Sequence, residues 1–77
     1  MVFDEFQEQY SLSESHWKKA ISYNPENPTL LVHLGVALHQ QSKTSEAIRM
    51  LSKAILLEPK FALAKFHRAT AYLAMDR

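Results

Sequence analysis

The chain has 77 residues, a net charge of +1 and no cysteine. That length holds one small domain at most, and the near-neutral charge gives no strong pull toward nucleic acid or an anionic membrane. Without cysteine it cannot be a disulfide scaffold, which points to an intracellular setting.

One glycine and three prolines leave few turns, so long helices are expected. The opening MVFDEFQEQY carries acids and no basic stretch, which argues against a signal peptide. Phe3 and Phe6 suggest a short, poorly formed helix there. Ser11-Leu12-Ser13-Glu14 has the Ser-x-x-Glu spacing of a capping box, so a helix is expected from about Leu12 to Tyr23, ended by Pro25.

Pro28 suits a first helical turn and opens a stretch through about Gln41, with Leu31, Leu34 and Leu38 on one face. The polar linker Gln41-Ser42-Lys43-Thr44 offers Thr44 or Ser42 as a cap. A helix from about Ser45 to Leu57 follows, with Ala47, Ile48, Leu51, Ala54 and Ile55 as its apolar stripe. Pro59 ends it, and a last helix is expected from about Phe61 to Met75. No apolar run approaches the roughly 20 residues that span a bilayer.

The chain repeats itself. Lys19-Ala20-Ile21 maps onto Lys53-Ala54-Ile55 and Pro25 onto Pro59, each with a shift of 34, while Trp17 falls on Leu51. A fixed period of this size marks a solenoid. The complete unit resembles the tetratricopeptide repeat, a helix-turn-helix module of that length. Leu34-Gly35 matches its Leu-Gly pair, and Ala47, Ala54 and Pro59 match its Ala, Ala and Pro positions. Leu31, Leu38 and Leu51 keep the hydrophobicity, not the identity, of its Trp, Tyr and Phe positions. The expected fold is all-α, with antiparallel helix pairs stacked as a tetratricopeptide-repeat solenoid. Residues 1–27 would be a partial repeat (second-type helix), 28–61 the complete repeat, and 62–77 a partial repeat (first-type helix). Trp17, Ala20, Leu31, Leu34, Gly35, Leu38, Ala47, Leu51, Ala54 and Pro59 are the expected packing residues. Gly35 and Ala47 should let the helices approach closely, because a mid-helix glycine costs about 1 kcal/mol against alanine and needs a packing reason.

A narrower likeness is to repeat-bearing subunits of the anaphase-promoting complex, a ubiquitin ligase of cell division. It covers about Tyr10 to Ala74 and is most specific at Lys65-Phe66-His67-Arg68-Ala69, where a generic repeat has a bulky apolar residue at 65 and Leu at 68. The first nine residues depart from it, and the whole looks like a fragment. The likeness implies a nuclear or cytoplasmic scaffold whose concave groove takes other subunits, peptides or co-activator C-terminal tails, with self-association of an isolated fragment also expected. First-type helices would line the groove with Thr29, Val32, His33, Val36 and His39, then Leu63, Phe66, His67, Thr70 and Leu73. That face is largely apolar and lacks a carboxylate, so an arginine of a bound tail should find its partner in other repeats.

Other readings are weaker. His33 and His39 are six residues apart with no acid or cysteine beside them, so no metal site or cofactor is expected. Trp17 is expected as a core anchor. Lys65 and Arg68 are expected to be solvated, to lay their stems on apolar surface, or to pair with an acid of a neighbouring helix. No nucleophile, Gly-rich loop or paired acid supports catalysis, and serines at caps and linkers have structural reasons to be there. The competing classes are a tetratricopeptide adaptor of another system, such as a co-chaperone or glycosyltransferase repeat domain, and a structural domain without a specific partner.

Overall fold

A computed structural model describes residues 5–76, with side chains from Glu8 onward. These residues form four helices and no strand: α1 (Glu5–Tyr23), α2 (Pro28–Gln40), α3 (Thr44–Leu57) and α4 (Ala62–Met75). The all-α expectation holds. Each helix packs on the next, α2 against α3 most extensively, and α4 also touches α2. The result is a flat stack of 43 × 33 × 15 Å.

The α2–α3 pair holds the core. Leu31, Leu38, Leu51, Ala47 and Ala54 are fully buried, as the leucine and alanine stripes require. Gly35 explains how the two helices come so close. A Cβ built there would lie 2.8 Å from Leu51 Cγ, 3.0 Å from Leu51 Cδ2 and 3.4 Å from the Ala47 carbonyl oxygen. A side chain there would have to displace Leu51 or part the two helices. Ala64 and Ala71 of α4 are likewise fully buried, and the small Ala64 packs in one cluster with Leu31 and Val32 of α2 and Leu51 and Ala54 of α3.

Two local expectations are corrected, and a third local feature had no expectation. First, α1 does not start at Leu12: it runs unbroken from Glu5, and Ser11–Glu14 lie inside it. The Ser-x-x-Glu spacing is not a cap because Glu14 turns toward α2 and its following loop instead. Phe6 lies within α1, and Phe3 is outside the described residues. Second, neither Ser42 nor Thr44 caps α3. Lys43 occupies the N-cap with no side-chain bond, and Ser42 takes a φ of 65° in the turn, a conformation uncommon outside glycine. Third, the effective side-chain cap is Asn27, whose Oδ1 accepts from the N–H groups of Thr29 at 3.0 Å and Leu30 at 3.4 Å. It precedes Pro28, whose missing N–H leaves nothing unpaired at the first helical position.

Candidate functional site

Among the described residues Glu14 is the buried acid, and it fixes α1 relative to the α2–α3 turn. Its Oε2 pairs with Lys18 at 2.6 Å, one turn along α1. Its Oε1 accepts from Lys43 at 3.1 Å and from Gln41 Nε2 at 2.7 Å. Gln41 Nε2 also donates to the Ala37 carbonyl at 3.1 Å. The Lys18 ammonium, with help from Gln41 and Lys43 against the cost of burial, holds the Glu14 carboxyl at a pKa of about 2. Lys18 is raised in turn, chiefly by its hydrogen bond to Glu14.

With α1 so fixed, Trp17 lies beside α2. Its indole stacks on the His33 imidazole, ring centroids 4.4 Å apart and planes 13° from parallel. His16 meets the same indole edge-on at 5.0 Å. Trp17 is half-buried and also packs against the Leu34–Leu38–Ala47 cluster. It therefore serves both as the expected core anchor and as a wall of an open groove.

That groove has a volume of about 270 Å³ and lies between α1, α2 and α4. Ser13, Trp17, His33, Gln40, Leu63 and His67 form its sides, and Val32, Val36 and Ala37 also line it. Val32 is only 3% exposed and belongs to the core cluster, so it is floor rather than contact surface. A second hollow, about 410 Å³, lies between His39 of α2 and Thr70, Leu73 and Ala74 of α4. His39 Nδ1 is buried and has no hydrogen-bond partner among the described residues. Thr29 and Phe66 line neither hollow. Phe66 projects from α4 with 64% of its surface exposed and meets His67 edge-on at 5.4 Å. Ser13, Trp17, Ala37 and Gln40 are groove residues that the repeat register did not single out. Ser13 and Trp17 belong to α1, a second-type helix in that register, and Gln40 sits at the last turn of α2.

The lining of the groove between α1, α2 and α4 contains no Asp, Glu, Lys or Arg. It can accept an apolar or aromatic side chain against Trp17 and Leu63. It can hydrogen-bond through Ser13, Gln40 and two imidazoles, but it offers no charge partner for an arginine or a carboxylate. Among the described residues Arg68 pairs with no acid; its guanidinium donates to Ser52 Oγ at 3.3 Å, bridging α4 to α3. Lys65 is exposed.

The fold and groove define an all-helical stack of the tetratricopeptide type. No family model matches the chain. Two proteins of Arabidopsis thaliana are similar to it. Cell division cycle protein 27 homolog B is 28% identical over 69 residues, 90% of this chain, and homolog A is 35% identical over 46 residues, 60% of this chain. The chain spans 9% and 6% of the lengths of these relatives.

Proposed function

We propose that this chain is a non-catalytic protein-interaction segment of a cell-division scaffold, of the kind found in the anaphase-promoting complex. Its groove receives an extended segment of another subunit or of a co-activator tail. The observation that carries this reading is the uncharged groove walled by the Trp17–His33 stack on one side and by Leu63 and His67 on the other. It stands in a chain similar to two cell division cycle 27 homologs. The segment supplies apolar wall and hydrogen bonds, and a tail arginine finds its carboxylate elsewhere in the parent assembly. The setting is nuclear, cytoplasmic or both.

A co-chaperone adaptor would hold the carboxylates of an acidic tail with several Lys and Arg on the groove, and this groove has none. Calorimetric titration separates the readings. The account expects weak, saturable binding of a co-activator tail peptide ending in Ile-Arg, lost when its apolar residues become serine. It expects no binding of an acidic chaperone tail. Tighter binding of the acidic tail would replace this reading with the adaptor one, and binding of neither would leave a structural role.

A further inference from the structure

The outer side of α3 carries charge that no contact within the described residues uses. Arg49, Lys53 and Leu56 stand four and three residues apart, so they share one face of the helix. Lys60 follows in the turn just past the end of α3. All four are exposed, Leu56 at 82%. Among the described residues both ion pairs use Glu14, so Arg49, Lys53 and Lys60 pair with no acid. The acids nearest in sequence are Glu46, whose charge reaches Lys18 of α1, and Glu58 at the C-cap of α3. Neither hollow described above draws a residue from α3.

This face stays open however many repeats are added. The positions 34 residues earlier are Ser15, Lys19, Ser22 and Glu26. All four are exposed, although α2, α3 and α4 follow them. Helices continuing past α4 in the same register would stand to α3 as α3 and α4 stand to α1, and would leave its outer side equally uncovered. On the preceding side, α1 and α2 are already in place. The comparison also makes the charge particular to α3. The four places on the α1 side hold one cation, one acid and no apolar residue, whereas those on the α3 side hold three cations and a leucine. Arg49 and Lys53, like charges one turn apart, work against their own helix. A local arrangement of that kind points to a contact outside the chain.

We propose that the outer face of α3 docks an acidic amphipathic helix of a partner protein. Carboxylates of the partner meet Arg49, Lys53 and Lys60, and an apolar side chain covers Leu56. In a partner running antiparallel to α3 the matching order is Glu-x3-Leu-x2-Glu-x3-Glu. A nucleic-acid strand fits less well, because its phosphates offer Leu56 no apolar surface and meet Glu46 and Glu58 as like charges. A single leucine is too little apolar surface to bury in a bilayer interface. The contact is small, with a Kd on the order of 100 μM at low salt. It gives the chain an attachment point separate from the groove.

Fluorescence anisotropy of a labelled alanine-based peptide with that pattern, titrated with the intact chain at about 20 mM and about 150 mM salt, tests this. Far-UV circular dichroism confirms that each variant is folded. Binding at low salt is expected to weaken about fivefold or more at the higher salt. Arg49→Glu and Lys53→Glu should each weaken it about tenfold, and Leu56→Ser about threefold. Lys19→Glu, the matching charge on α1, should change it less than about twofold. No binding at up to about 1 mM chain would overturn the proposal. So would an equal loss in Lys19→Glu, which would leave only net charge as the cause. Tighter binding of single-stranded oligothymidylate, or of phosphatidylserine-containing vesicles, than of the peptide would overturn it too. The groove reading is independent of all these outcomes.

Discussion

Replacing Glu14 with Gln keeps the shape of the side chain and its hydrogen-bonding reach but removes the charge that holds α1 to the α2–α3 turn. The carboxyl is held at about 2 against an ordinary 4.5. Converted at about 1.4 kcal/mol per unit, that depression corresponds to a ceiling of roughly 3.5 kcal/mol of native-state stabilisation. The two lysines are 57% and 47% exposed, so solvent screening reduces the share to about 1–2 kcal/mol. The sign follows from the direction of the shift. A carboxyl whose folded pKa lies below its unfolded value stabilises the fold fully above about 4.5. That stability is lost as the pH falls toward about 2. Urea unfolding of the wild type and Glu14→Gln, followed by the fluorescence of the single tryptophan, Trp17, should show a gap of about 1–2 kcal/mol at pH 7. The gap should close as the pH approaches 2. Equal stability at pH 7, or a gap that does not change with pH, would refute the idea that charge rather than shape fixes α1.

Other changes have distinct signatures. Gly35→Ala gains about 1 kcal/mol of helix propensity but forces Leu51 from its place. Overpacking of this kind costs about 1–3 kcal/mol, so the net effect should be neutral to destabilising by up to about 2 kcal/mol, and a clear stabilisation would deny the close approach. Gly35→Leu should abolish cooperative unfolding, as judged by circular dichroism melting. Asn27→Ala removes the cap of α2 and should cost about 1 kcal/mol in the same urea assay, while Ser42→Ala and Thr44→Ala should cost less because neither side chain caps α3. With so much of α4 uncovered, the isolated chain should melt below about 60 °C at micromolar concentration, and its midpoint should rise with concentration if association contributes.

The last three helices were legible because their signals are strong and local. Leu31, Leu34 and Leu38 repeat at helical spacing, Pro28 opens α2, and Pro59 closes off α3. The 34-residue shift gave α1 and α4 their places by analogy with α3 and α2. The start of α1 was not legible, because Ser11-x-x-Glu14 has the spacing of a cap while Glu14 is needed by Gln41 and Lys43, some 27 and 29 residues later. A local pattern cannot show that competition. Asn27 was missed because Pro28 already explained the helix start. On the groove, the register pointed to the first-type helices, and Val32, Val36, His33, Leu63 and His67 do line the hollow. Trp17 belongs to a second-type helix by register, and only the stacking of its ring on His33 brings it to the groove wall.

The account rests on a groove between Trp17–His33 and Leu63–His67 that holds a partner's peptide. Two-dimensional amide NMR of the labelled chain, titrated with a co-activator tail peptide, tests it most directly. The account predicts shifts centred on Ser13, Trp17, His33, Gln40, Leu63 and His67, together with a change in the Trp17 indole N–H, while the Tyr72–Asp76 end of α4 stays still. Shifts confined to α4 beyond Ala69, or no shifts at millimolar peptide, would contradict it.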